Sequence, residues 1–127
     1  MVGPGRLVLA AALLAALAAC GESSSSSSSG GATVGTAGAN LGTAAVKITA
    51  GDGLKFDPAQ QSAKVGDIIE WSNTGTVTHT VTFDSQSSLS DPSLNQGGTW
   101  QVRFSAAGTY QYHCTIHAGM SGSVTVS

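Results

Sequence analysis

The sequence predicts an all-β domain over about residues 44–127, a Greek-key β-sandwich of about eight strands. Three observations predict it. Apolar residues in this stretch alternate with a period of two, Gly- and Asn-containing turn signals return about every 8–12 residues, and no segment carries a 3.6-residue period. In chain order the expected strands are Val46–Thr49, a short one near Lys55–Asp57, Gln61–Val65, Asp67–Asn73, His79–Asp84, Thr99–Ser105, Thr109–Cys114 and Ser123–Val126. Lys64-Val65-Gly66-Asp67, Asn73-Thr74-Gly75 and Ala106-Ala107-Gly108-Thr109 read as the turns between them.

Successive strand residues point to opposite faces, so phase assigns each side chain a direction. Trp100, Val102 and Phe104 share one face, opposite Gln101 and Arg103. His79 is in phase with Val81 and Phe83, opposite Thr78, Thr80, Thr82 and Asp84. Tyr110, Tyr112 and Cys114 are in phase, which directs Gln111 and His113 outward. One His and one Cys therefore face the core while the neighbouring His113 faces away. Tyr110, Tyr112, Trp71 and Trp100 read as packing residues, and Asp84 and Asp91 as solvated acids.

The N-terminal third has a different character. Arg6 precedes an unbroken apolar run from Leu7 to Ala19. Thirteen residues rise only about 20 Å as a helix, short of the roughly 30 Å hydrocarbon core of a bilayer. The run and the small residues that end it fit an export signal over residues 1–19. Leu17-Ala18-Ala19-Cys20 resembles a bacterial lipobox, which implies acylation of Cys20 and attachment outside the cytoplasmic membrane. Residues 20–43 follow with Ser23–Ser29 and a Gly/Ala/Thr stretch. Such a segment has little to bury and is expected to be a flexible tether.

The chain has two cysteines. If Cys20 carries lipid, Cys114 has no partner for a disulfide, and a thiol in an oxidising compartment needs another use. Charge gives no nucleic-acid footprint: beyond residue 19 stand Lys47, Lys55, Lys64 and Arg103 against the seven acidic residues.

Cys114, His117 and Met120 recur at three-residue intervals between two expected strands. With core-facing His79 they form a His₂Cys set plus a thioether, the donor set of a trigonal blue-copper site with a weak axial Met. Soft sulfur favours Cu(I) and imidazole also accepts Cu(II), so a compromise geometry suits one-electron exchange. Other chemistries compete. Cys114 and His117 could form a nucleophile pair, but no third group orients the base and His79 and Met120 would be unexplained. Zinc could bind the same atoms, although structural zinc sites normally close with Cys or His. His79 could be a core histidine, and Met120 a gap filler.

The domain resembles the plastocyanin/amicyanin group of cupredoxins. The likeness rests on Phe56-Asp57-Pro58, Val65-Gly66-Asp67, Trp71-Ser72-Asn73, His79 with Val81 and Phe83, and Gly108-Thr109-Tyr110-Gln111-Tyr112. The short Cys114-x₂-His117-x₂-Met120 spacing is more similar to amicyanin than to plastocyanin. The resemblance implies one type 1 copper per chain, held by His79, Cys114, His117 and Met120. It implies an electron carrier and not an enzyme, exchanging electrons with redox-protein donors and acceptors through an exposed His117, as a monomer. A copper-delivery protein is the alternative. Thr80 departs from the group, where Asn commonly follows the first ligand His; Thr80 and Thr115 offer two hydroxyls for the same brace.

Overall fold

A computed structural model describes residues 33–127. Ten strands run β1 Gly35–Gly38, β2 Val46–Ala50, β3 Phe56–Asp57, β4 Gln60–Ala63, β5 Ile68–Asn73, β6 His79–Phe83, β7 Asp91–Leu94, β8 Thr99–Phe104, β9 Gly108–His113 and β10 Ser121–Val126. The only helical element among the described residues is a 3₁₀ turn at Ser87–Leu89. The strands form two five-stranded sheets, ordered β1-β8-β5-β2-β3 and β4-β10-β9-β6-β7. Pairs β2–β5 and β4–β10 are parallel and the others antiparallel.

Alternation places the core as expected. Ile48, Ile69, Trp71, Val102 and Phe104 of one sheet are buried, as are Val81, Phe83, Tyr112 and Val124 of the other. Trp71 meets Phe83 and Tyr112 edge-on, with ring centroids 5.7 and 5.2 Å apart. Edge-on pairing sets the positive ring edge against a negative face, and each such pair adds about 1 kcal/mol beyond area burial. Trp100 donates its indole N–H to the Leu89 carbonyl, and Tyr110 its hydroxyl to that of Ala106.

Two strands exceed the expected eight. The segment read as tether through residue 43 contributes β1, whose Gly35–Gly38 pairs with Phe104–Gln101 of β8. A Cβ at Gly35 would lie 2.6 Å from the Arg103 carbonyl oxygen, so the small residue permits the approach. Gln101, expected to face outward, is buried because the incoming chain crosses it. Its Oε1 accepts the Leu41 and Gly42 amides while its Nε2 donates to the Gly42 carbonyl and Glu70 Oε2. The other addition, β7, carries Pro92 and lies at a sheet edge, where a missing N–H costs no ladder bond. Residues 1–19, Cys20 and the tether up to residue 32 lie outside the described residues.

Candidate metal centre

The ligand loop leaves β9 after His113 and rejoins the sheet at Ser121. Internal bonds hold it closed: the Cys114 amide donates to the Met120 carbonyl at 2.8 Å, and the Met120 amide to that of His117 at 3.3 Å. Gly119 supplies the left-handed backbone, φ +81°, that the return needs. His79 opens β6 on the neighbouring strand, after the loop Thr74–Thr78.

That preceding loop is tied from two sides. The Asn73 carboxamide accepts the Gly75 amide and donates to the Val77 and Leu94 carbonyls. Asp52 accepts the amides of Thr76 and Val77 and the Thr76 hydroxyl. These bonds, the Thr76 amide foremost, hold its carboxyl below the usual carboxylate range. Sequence reading found the Asn73 turn but not Asp52, because a contact across 24 residues leaves no local pattern.

The structure brings together the residues the spacing singled out. Ligating atoms of His79, Cys114 and His117 all lie within 4.8 Å of one another. Cys114 Sγ is 3.5 Å from His117 Nδ1, and the two imidazole centroids are 5.0 Å apart. Met120 is buried, and its residue lines the same cavity as Cys114 and His117. Cys114 is the free, buried cysteine. His113 turns away, as phase requires, with its Nδ1 2.7 Å from Asp84 Oδ1 at a partly exposed site. Asp84, read as a solvated acid, thus has an exposed partner.

Two observations test whether these residues fit a metal. His79 is 0% exposed, and neither of its ring nitrogens has a hydrogen-bond partner. A buried polar group left so costs about 1–3 kcal/mol, a cost that coordination would offset. Burial first, then the neighbouring His117, lowers the His79 pKa; the Gly51 backbone opposes that shift without meeting hydrogen-bond geometry. The neutral imidazole retains a lone pair for a metal. The second observation is the donor set: thiolate sulfur and two imidazoles suit copper, and zinc and copper compete for such nitrogen–sulfur sites on geometry. The residues present fit copper.

Thr80 and Thr115, whose hydroxyls the sequence offers for a brace without settling it, meet here with their Oγ1 atoms 3.3 Å apart. Thr80 donates its amide to Cys114 Sγ at 3.4 Å, and its Oγ1 accepts the Thr115 amide at 2.9 Å. Trp71 Nε1 and the Tyr112 hydroxyl have no geometric hydrogen-bond partner. Burial, opposed by Trp71, pushes the Tyr112 phenol up to about 12, so it stays neutral and packs.

Residues 42–127 match the family described as copper binding proteins, plastocyanin/azurin family. Amicyanin-alpha of Methylorubrum extorquens is 36% identical over 100 residues, covering 76% of this chain and 82% of that protein. The chloroplastic plastocyanin of Tetradesmus obliquus is 37% identical over 112 residues, covering 75% and 77%. Among solved structures, an oxidised amicyanin variant aligns with a TM-score of 0.62 at 29% identity, covering 76% of this chain and 94% of that one. A reduced amicyanin variant aligns with the same score and identity over 70% and 88%.

Proposed function

We propose that this chain, which belongs to the plastocyanin/azurin family of copper-binding proteins, is an extracytoplasmic one-electron carrier with a type 1 copper held by His79, Cys114, His117 and Met120. The observation that carries the assignment is buried His79, whose unpartnered nitrogens lie beside a free thiol and a second imidazole. Copper supplies the Cu(II)/Cu(I) couple. Cys114 would provide the charged sulfur, His79 and His117 the neutral nitrogens, and Met120 a thioether. The closed 114–120 loop and tied 74–78 loop hold these donors in place, which limits rearrangement on electron transfer. Amicyanins and plastocyanins are electron carriers and not enzymes, in keeping with this reading.

Electron exchange is assigned to the His117 edge. His79 is sealed, whereas His117 is part-exposed, Ile116 is 54% exposed, and Ala118 and Val77 also reach solvent. Small uncharged contacts suit brief redox encounters that bury little surface. Ala118→Glu should slow exchange with a redox partner, or between two copies, by about tenfold, because docking would bury an unpaired carboxylate. Stopped-flow kinetics checks the rate and the visible spectrum checks the metal. An unchanged rate with an unchanged spectrum would move the docking face elsewhere.

We further propose export and lipid attachment at Cys20. The described chain enters near Ser105, whose amide donates to the Val34 carbonyl, and β1 begins opposite Phe104. From that end β9 runs from Gly108 to His113 before reaching Cys114. The described chain thus joins the domain at the end away from the ligand loop. Cys20→Ala should shift the protein from the membrane to the soluble fraction. Mass spectrometry of membrane-extracted protein should find acyl chains on an N-terminal Cys20; an unmodified N-terminus elsewhere would overturn the proposal.

A further inference from the structure

Resting on the copper assignment above, we propose that Asp52 is a positioning residue for His79, a clasp that pins the loop delivering this ligand to the turn after β2. The strand topology creates the need for it. β2 and β5 pair in parallel up to Ala50↔Asn73, so both leave their sheet at the same end. The Thr74 amide adds one more link, to the Ala50 carbonyl at 2.9 Å. There the two segments part. Residues 51–54 turn back toward β3, closed by the Leu54 amide on the Gly51 carbonyl at 3.0 Å. Residues 74–78 cross to the other sheet and open β6 at His79.

The start of β6 is weakly held by its own sheet. On one side it pairs with β7 at His79↔Leu94, with an irregular register before Val81↔Asp91. On the other, its pairing with β9 reaches only Thr82↔His113. Neither nitrogen of the His79 ring has a hydrogen-bond partner. The ring's position therefore depends on packing and on the backbone that leads into it. Asp52 holds that backbone. Its Oδ1 accepts the Thr76 amide at 2.6 Å and the Val77 amide at 3.3 Å, and the Thr76 hydroxyl lies 3.2 Å from both carboxylate oxygens. Asn73 Nδ2 donates to the Val77 carbonyl at 2.7 Å, so the residue two positions before His79 is held at both its amide and its carbonyl. Bonds to an ionised carboxylate are stronger than those to a neutral acceptor. Gly75 makes room for the clasp: a Cβ there would lie 2.6 Å from the Asp52 backbone nitrogen and against its carboxylate. The Gly75 backbone is not left-handed, so what the site needs is the missing side chain.

Asp52 acts on the metal centre in two separable ways. Imidazole supports Cu(II) whereas soft sulfur favours Cu(I), so a His79 ring free to drift would shift the balance toward the reduced state. A carboxylate at this end of the domain also favours the more positive, oxidised state. Asp52 is exposed, however, and water screens its charge. Placement of the ring is the larger effect.

Three variants separate position from charge. Asp52→Ala removes both, Asp52→Asn keeps the Oδ1 acceptor without the charge, and Gly75→Ala forces the clasp apart with the charge in place. In metal-free protein, Asp52→Ala and Gly75→Ala should speed solvent exchange at the Thr76 amide by about tenfold and shift the His79 ring resonances. In copper-loaded protein, the same two variants should lower the oxidised-to-reduced ratio at fixed ambient potential by roughly three- to tenfold. Asp52→Asn should stay within about twofold of wild type in exchange and ratio. Unchanged Thr76 exchange in Asp52→Ala would overturn the clasp. Faster exchange with unmoved ring resonances, or with an unmoved ratio in copper-loaded protein, would make Asp52 a structural residue of the loop and overturn its positioning role. An Asp52→Asn ratio equal to that of Asp52→Ala, with wild-type Thr76 exchange, would assign the effect to charge and overturn that role too. If either alanine variant does not fold, the other carries its readouts, and wild-type behaviour there overturns the proposal. Wild-type protein that takes up no copper would count against the copper assignment, while metal-free exchange and ring resonances still judge the clasp.

Discussion

Cys114→Ser should leave the copper-treated, oxidised protein colourless. The visible band of a blue-copper site arises from charge transfer out of a thiolate, and Cys114 is the cysteine among the described residues. Cys114 is 4% exposed, and its sulfur accepts the Thr80 amide and lies 3.5 Å from His117 Nδ1. Serine fits the space but offers a hard hydroxyl that stays protonated, so both the soft donor and its transition are lost. The matched control is His113→Ala, one residue away. His113 pairs with Asp84 at the partly exposed surface, outside the His79–Cys114–His117 cluster. That variant should keep copper and colour. Absorption spectroscopy with metal analysis checks both; a coloured Cys114→Ser protein, or a bleached His113→Ala protein with full copper, would break the ligand assignment.

What could be read from the sequence follows from where physical constraints are local. His79-Val81-Phe83 and Tyr110-Tyr112-Cys114 are legible because a sandwich strand must alternate, and the structure buries all six. The loop ligands are legible because three donor residues lie within seven positions. β1 was not: Gly35-Thr36-Ala37-Gly38 has no alternation to detect, and it becomes a strand because β8 offers a free edge and Gln101 fastens Leu41 and Gly42. Thr80 was read as facing away from the core, and it does oppose His79. It is nonetheless buried, because at this end of β6 the ligand loop covers the outer face. Asp52 illustrates the same limit, since its bonds to Thr76 and Val77 exist only once two loops meet.

His79→Leu should abolish copper binding and yet yield a metal-free domain about 1–3 kcal/mol more stable than metal-free wild type, the cost of leaving a polar group buried and unpartnered. The imidazole is 0% exposed with both nitrogens unpaired, and a leucine of similar size would fill the same apolar surroundings. Acid should widen the difference. Burial, reinforced by His117, holds the His79 pKa below its ordinary 6.5. Between that lowered value and 6.5 the unfolded chain binds the proton more readily than the folded one, so wild-type metal-free protein loses stability as pH falls through this window. One such group contributes a slope of at most about 1.4 kcal/mol per pH unit, and the leucine variant lacks it. Copper reverses the ranking: a ligand bound only by the native state at a thousand times its Kd adds about 4 kcal/mol, which wild type gains and the variant cannot. Denaturant melts of both proteins at pH 7.5 and 5.5, with and without copper, would check all three statements. A metal-free leucine variant less stable than wild type at both pH values would show that the His79 nitrogens are satisfied in the metal-free domain, and with that the argument from an unpaired buried imidazole to a metal site would lose its footing.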